Sequence, residues 1–319
     1  MRAVFVAITQ TFRDAVSISK ILFKILIPVV IIMKVLTELG LVTWLGTLFS
    51  PFMALAGLPG NLGIVFVTAL LTNLYGGIIA FVTIFPETPL TVAQVTVIAT
   101  MMLVAHNFPV ELAVARKAGM RVTLHLLVRL IGAFLLGALL FYTYKWGGWL
   151  QQPATLLWTP PTTDVGLLHW AWGELQKLAV IFGIVFAMLL GMRLLKYARI
   201  NDGIEWLLRP ILRPVGIGRE ATSVTLIGMM LGLAYGGGLI IREAQSGNLP
   251  DRDIFASITL MGLTHSVIED TLLMMLIGGH LSGLLWGRIA FSLIAAYLIM
   301  RFLRAIPTTY FYRYAFHEK

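Results

Sequence analysis

The stretch Leu-Thr-Asn-Leu-Tyr-Gly-Gly-Ile-Ile, residues 71–79, returns as Leu-Gly-Leu-Ala-Tyr-Gly-Gly-Gly-Leu at residues 231–239. Outward from each copy the same landmarks recur at a nearly constant spacing. Met33-Lys34 answers to Met192-Arg193, Pro51 to Pro210, Gly57-Leu58 to Gly216-Ile217 and His106 to His265, all 159 residues apart, while Tyr75 and Tyr235 are 160 apart. One residue of slippage is what an old duplication leaves, so the chain reads as two repeats.

The composition fixes where those repeats reside. Of 319 residues, 58% are hydrophobic and 12% charged, and the mean hydropathy is +0.88. That is too apolar and too sparsely charged for a soluble domain of this length, and it implies an integral membrane protein. The formal charge of +9 then marks cytoplasmic loops rather than a nucleic-acid surface, since no soluble basic domain exists to carry one. The absence of cysteine excludes disulfides, thiolate metal ligands and thiol nucleophiles.

In chain order, residues 1–17 predict an amphipathic helix lying on the membrane, because Phe5, Val6, Ile8 and Phe12 alternate with Gln10, Arg13 and Asp14. Residues 18–145 form the first repeat. Ile18 to Leu39 is a span with a basic start, and Val42 to Ala56 an interfacial helix broken at Pro51. Asn61 to Phe85, free of ionisable side chains, is a second span interrupted at Gly76-Gly77. Thr91 to His106 is short for a span and stops at His106-Asn107-Phe108-Pro109, so with Glu111 to Ala118 it predicts a re-entrant hairpin. Val122 to Tyr144 is the third span, with Arg129 snorkelling from its start.

Residues 146–176, with five tryptophans and three prolines but no Lys or Arg, predict an extracytoplasmic linker. The second repeat, residues 177–305, opens with a span from Leu178 to Leu195 and a basic stretch reaching Arg219. The glycine-rich span Glu220 to Ile241, a hairpin from Asp251 to Gly279 and a last span from Leu284 to Leu303 follow, before a cytoplasmic tail at 306–319. Three spans per half make the repeats antiparallel. The expected fold is an all-α polytopic membrane protein of two inverted repeats, each with a glycine-interrupted helix and a re-entrant hairpin, set in a bacterial inner membrane with both termini cytoplasmic.

A helix breaks at membrane depth only where protein or a polar cavity receives the freed backbone. Asn73, Tyr75, Gly76 and Gly77, with Tyr235, Gly236 and Gly237, fit that need, although paired glycines also serve close helix packing. The hairpin tips hold the ionisable groups: His106, Asn107 and Glu111 in one, His265, Ser266, Glu269 and Asp270 in the other. His265 and Glu269 lie four apart, which puts them on one face if the helix is continuous. Such groups are costly in a bilayer and line a polar cavity or lock the hairpin. Two histidines and several carboxylates hold a metal only if both tips converge, so the metal assignment stays open. Gly216-Ile217-Gly218-Arg219-Glu220-Ala221 matches a dinucleotide motif in form but follows no strand, and no other catalytic motif occurs. No enzyme activity and no cofactor is expected.

The glycine-rich span after a Gly-Leu or Gly-Ile turn, with Ala-His-Asn-Phe-Pro-Val-Glu at 105–111 and Thr-His-Ser-Val-Ile-Glu-Asp at 264–270, resembles the nucleoside recognition, or Gate, domain family across both halves. The resemblance implies a transporter core that holds its substrate between hairpin tips and unwound helices. It leaves the substrate class open among nucleosides, metal ions and small organic anions. The expectation is a permease for a small polar or anionic solute, coupled to a proton or cation, that contacts lipid and assembles as a homo-oligomer or with a partner membrane subunit. The alternative is a non-transporting module that docks a partner subunit or lipid, or a divalent-metal permease.

Overall fold

The computed structural model describes residues 38–156 and 210–317 without interruption, and scattered helical positions within 9–35 and 166–190. The expected N-terminal helix, the first span of each half and most of the linker lie outside the described residues. Among those described there is no strand, only two isolated bridges between loops. The helices are α1 (Leu41–Leu55), α2 (Leu62–Leu71), α3 (Leu74–Ile84), α4 (Val92–Val104), α5 (Phe108–Lys117), α6 (Val122–Gly147), α7 (Arg219–Leu231), α8 (Leu233–Ser246), α9 (Asp251–Leu263), α10 (Glu269–Met275), α11 (Arg288–Ala305, entered through a π-helical turn at Ser282–Gly287) and α12 (Thr308–Tyr314).

Among the described residues three helical runs, 92–117, 122–147 and 282–305, are long and apolar enough to cross a membrane. At 1.5 Å per residue α6 is ~39 Å long, more than a ~30 Å hydrocarbon core requires. Its outward side is a stripe of Leu127, Ile131, Leu135 and Leu139 spaced for one helical face, and α11 repeats the arrangement with Ile294, Leu298 and Phe302. Large apolar side chains pointing outward along whole helices are the surface of a protein whose solvent is lipid. The inward side of α6 carries small and polar residues, among them His125, Arg129, Gly132, Ala133 and Gly137, which bring its backbone close to α4.

The hairpins are not where the sequence places them. Residues 92–117, expected to enter and return, instead run straight past α6. Ala93 N–H donates to the Leu150 carbonyl at 2.8 Å at one end. Arg129 meets the Val104 and His106 carbonyls at the middle, and the chain turns into α6 only at 118–121. The second half does likewise. Arg252 donates to the Leu303 carbonyl at 3.0 Å, Arg288 reaches Thr271, and the His280 N–H reaches Thr96 Oγ1 at 2.9 Å. The two broken runs, α4–α5 and α9–α10, therefore pass one another in opposite directions. One end of the molecule gathers Thr91, Trp146, Trp149 and His280. The other gathers Arg121, Arg252, Arg304 and α12, which closes onto the α5–α6 loop through Arg121 N–H to the Ala315 carbonyl (2.9 Å) and His317 N–H to the Gly119 carbonyl (2.7 Å). The expected C-terminal tail is thus a packed element whose Phe311 is buried.

The expected glycine-interrupted spans, 61–85 and 220–241, are the hairpins. Helices α2 and α3, of ~15 Å each, pack side by side, and the Asn61 amide at the start donates to Thr88 Oγ1, just past the end, at 2.6 Å. Helices α7 and α8 pair similarly, with Gly218 N–H on Asp253 Oδ2 at 2.8 Å across the open end. The turns do not fall on the paired glycines. They lie at Thr72-Asn73, where the Asn73 side chain caps α3 by accepting from Gly76 N–H at 3.0 Å, and at Gly232, whose φ of 85° and ψ of 170° suit only glycine. Gly76 and Gly77 are helical; a side chain on Gly77 would strike Ala69 and Met102, so that glycine lets α3 lie against α2 and α4. Pro51 likewise sits inside an unbroken α1.

Candidate functional site

The four breaks meet at one place. Asn107 N–H donates to the Ala69 carbonyl at the first hairpin's tip (3.0 Å), and Val267 N–H to the Met229 carbonyl at the second's (2.9 Å). Both broken runs turn through a left-handed residue that is not glycine, Asn107 at φ 52° and Ser266 at φ 44°. Non-glycine residues seldom hold this conformation, and where they do the strain usually serves a site. Here it aims the preceding histidines at each other. The His106 and His265 rings lie with centroids 4.9 Å apart and Nε2 to Nε2 at 3.2 Å.

Each ring is anchored from behind. Nδ1 of His106 lies 2.9 Å from the Met102 carbonyl and Nδ1 of His265 lies 2.8 Å from the Met261 carbonyl, one helical turn back in both cases. A carbonyl accepts only, so Nδ1 carries the proton and each Nε2 presents a lone pair to the centre. Glu111 Oε1 lies 3.5 Å from both Nε2 atoms. The other carboxylate oxygen, Oε2, is paired with Arg129 Nη1 at 2.5 Å. Arg129 also donates through Nε to the Val104 carbonyl and through Nη2 to the His106 carbonyl, both at 3.0 Å, and its guanidinium faces the Phe108 ring. It thereby satisfies the acceptors that the break at 105–107 frees. Glu111 is 1% exposed and Arg129 0%, so this pair is fully out of water.

Asp270 and Arg288 hold the equivalent places in the second half, each 159 residues after Glu111 and Arg129. Their arrangement is looser. Arg288 makes one long hydrogen bond, to Thr271 Oγ1 at 3.4 Å, while its Nε and Nη1 and the Asp270 Oδ2 are buried without a hydrogen-bond partner. One ligand atom from each of His106, His265 and Asp270 falls within 4.8 Å of the others.

Of the expected site residues, His106, Glu111, His265 and Asp270 form the centre, and Asn107 and Ser266 shape it through their backbones. Glu269 is half-buried next to Asp270 in the chain, and Tyr75 is half-buried near the start of α3. Asn73 and Gly77 have the capping and packing roles described above, and Gly76 supplies the capped N–H. Tyr235, Gly236 and Gly237 lie within α8, and their side chains lie outside the described residues. Arg129 and Arg288 were not foreseen. Arg129 does not snorkel; it points inward. Their spacing of 159, shared with the histidines and the acids, is the signal that identifies both.

Residues 19–121 match the family model Gate, described as nucleoside recognition. The chain is also similar to the uncharacterized membrane protein YvoD of Bacillus subtilis (strain 168), at 27% identity over 303 residues that cover 87% of this chain and 88% of that one. No solved structure matches. With its apolar helices and this relative, the chain is a membrane protein, and about a third of it is similar to the Gate family.

Proposed function

We propose that the protein is a multi-pass inner-membrane permease that moves a small polar or anionic solute by alternating access around the central cluster. On this reading its halves are inverted repeats, each inserting one re-entrant hairpin. The observation that carries the reading is the meeting of two oppositely directed broken helices and two hairpin turns at one buried charged centre. Discontinuous helices that converge at mid-depth between inverted halves are how many secondary transporters build their binding sites. The N-termini of α3, α5 and α8 begin at the breaks, and helix N-termini favour anions. The unpartnered buried guanidinium atoms of Arg288 favour an anionic group on the solute, such as a carboxylate. The basic end, with Arg116, Lys117, Arg121, Arg252 and Arg304, faces the cytoplasm by the excess of positive charge. The reading assigns no catalysis to the chain, and gives the apolar outer faces to lipid and to a second copy or partner subunit.

The test is the thermal stability of the purified protein across nucleosides and small carboxylates, followed by uptake of the hit into proteoliposomes. At 100 times its dissociation constant a solute stabilises by about 2.7 kcal/mol. The expected result is a hit that Arg288→Met abolishes. No stabilisation and no uptake from any class, with a neighbouring membrane protein co-purifying, would replace the permease by a docking module.

A further inference from the structure

Three electron-rich atoms face one another at the centre with no donor between them. His106 Nε2, His265 Nε2 and Glu111 Oε1 form a triangle with edges of 3.2, 3.5 and 3.5 Å. Their other polar atoms are already committed: both Nδ1 atoms to carbonyls, and Glu111 Oε2 to Arg129. Bare lone pairs at this separation repel, and the repulsion is strong away from water. A proton between the two rings relieves one edge only. A cation at the centre of the triangle relieves all three.

The triangle also has the size of a coordination face. A point equidistant from the three atoms lies about 2.0 Å from each, the length of a zinc bond to imidazole nitrogen or carboxylate oxygen. Asp270, buried, with Oδ2 unpartnered and an oxygen within 4.8 Å of both histidine ligand atoms, supplies a fourth ligand with a small approach. The carbonyls behind the imidazoles and the guanidinium behind the carboxylate are the outer partners that fix a metal ligand's tautomer and direction. Two imidazoles exclude the all-oxygen preference of calcium and magnesium and suit zinc, cobalt or ferrous iron.

We propose that His106, His265 and Glu111, joined by Asp270, bind one divalent transition-metal ion at the centre of the molecule. The inference rests on the reading of this cluster as the permease's binding site, and it places a cation beside the solute anion at Arg288.

The experiment titrates the purified full-length protein in nanodiscs with Co2+ and follows the visible d–d absorption, which reports coordination number and ligand type. One ion per chain, with the intense bands of a four-coordinate site, is expected. His106→Ala and His265→Ala should each weaken binding by about 100-fold or more, the upper range for disturbing a metal site's partners being about 100-fold. His280→Ala, which changes an exposed histidine at the tryptophan end, should leave the titration unchanged. Should the centre variants fail to fold, X-ray absorption of the Zn2+-loaded parent decides, because it counts imidazole ligands directly and two are required. Six-coordinate cobalt spectra, loss of binding only with His280→Ala, or fewer than two imidazoles on zinc overturns the site. The two readings fail separately. Cobalt bound at the centre without solute uptake removes the permease and keeps the site, whereas uptake of an organic anion by a protein that binds no Co2+ removes the site and keeps the permease.

Discussion

Arg129 shows how much of the centre a reading of single residues misses. Glu111 and the two histidines stand out in the sequence because an ionisable group in an apolar run is conspicuous, and Asp270 follows for the same reason. An arginine two turns into a span has an ordinary alternative, to extend along the helix to the headgroups, and nothing local decides between the two. What decides is the break at 105–107, whose carbonyls need donors that only a neighbouring helix can supply. The pair with Glu111 is fully buried, so removing one partner leaves the other charge without compensation. Arg129→Met is expected to destabilise the protein by about 3–5 kcal/mol. Adding Glu111→Gln should restore part of that loss, since the stranded charge is gone while the Val104 and His106 carbonyls still lack their donors. Thermal unfolding of the single and double variants in one detergent checks both statements. Equal stability of parent and Arg129→Met would remove the guanidinium from its place in the break.

At the scale of elements, existence was legible and connectivity was not. The long helices at 122–147 and 282–305 are close to their expected bounds because each is one long, largely apolar stretch without a helix-breaking proline. Residues 61–85 also form such a run, and by composition a hairpin of two short apolar helices is indistinguishable from one span. The turn depends on Asn73 capping Gly76, a local bond that competes with helix only when the surroundings allow it. In the opposite sense, Pro109 reads as the end of a helix but sits in the first turn of α5, where a proline is tolerated. The two arrangements differ by a measurable distance. In a span the ends of 61–85 would lie ~30 Å or more apart, while in the hairpin Asn61 hydrogen-bonds Thr88. Because the chain has no cysteine, the pair Asn61→Cys and Thr88→Cys can be introduced on a clean background. Rapid disulfide formation under mild oxidation, seen as a shift in electrophoretic mobility after cleavage between them, is expected. Failure to link would return 61–85 to a span.

For the molecule as a whole, the spacing of 159 residues that is visible in the sequence also relates every member of the centre. Among the described residues, Trp146 and Trp149 lie at one end with Lys145, and Arg116, Lys117, Arg121, Arg252 and Arg304 lie at the other. Gln151→Cys at the tryptophan end and Arg313→Cys at the basic end are both exposed positions. A membrane-impermeant maleimide added to intact cells is expected to label the first and to reach the second only after permeabilisation. The reverse pattern would invert the protein in its membrane and break the rule that positive residues stay inside.

The centre lies about 15–20 Å from either end of the run α4–α5, and it is held by atoms from both halves. On the permease reading proposed above, this makes it a fulcrum with lever arms of similar length. Fasteners of different chemistry close the two ends. Tyr144 bonds Ser282 and His280 bonds Thr96 at one, and α12 clasps the loop at 119–121 at the other. When one half tilts against the other about such a fulcrum, a gap that opens at one end narrows the opposite end by a comparable distance. For the proposed permease two independent gates would then be unnecessary, and undoing one clasp would press the other shut.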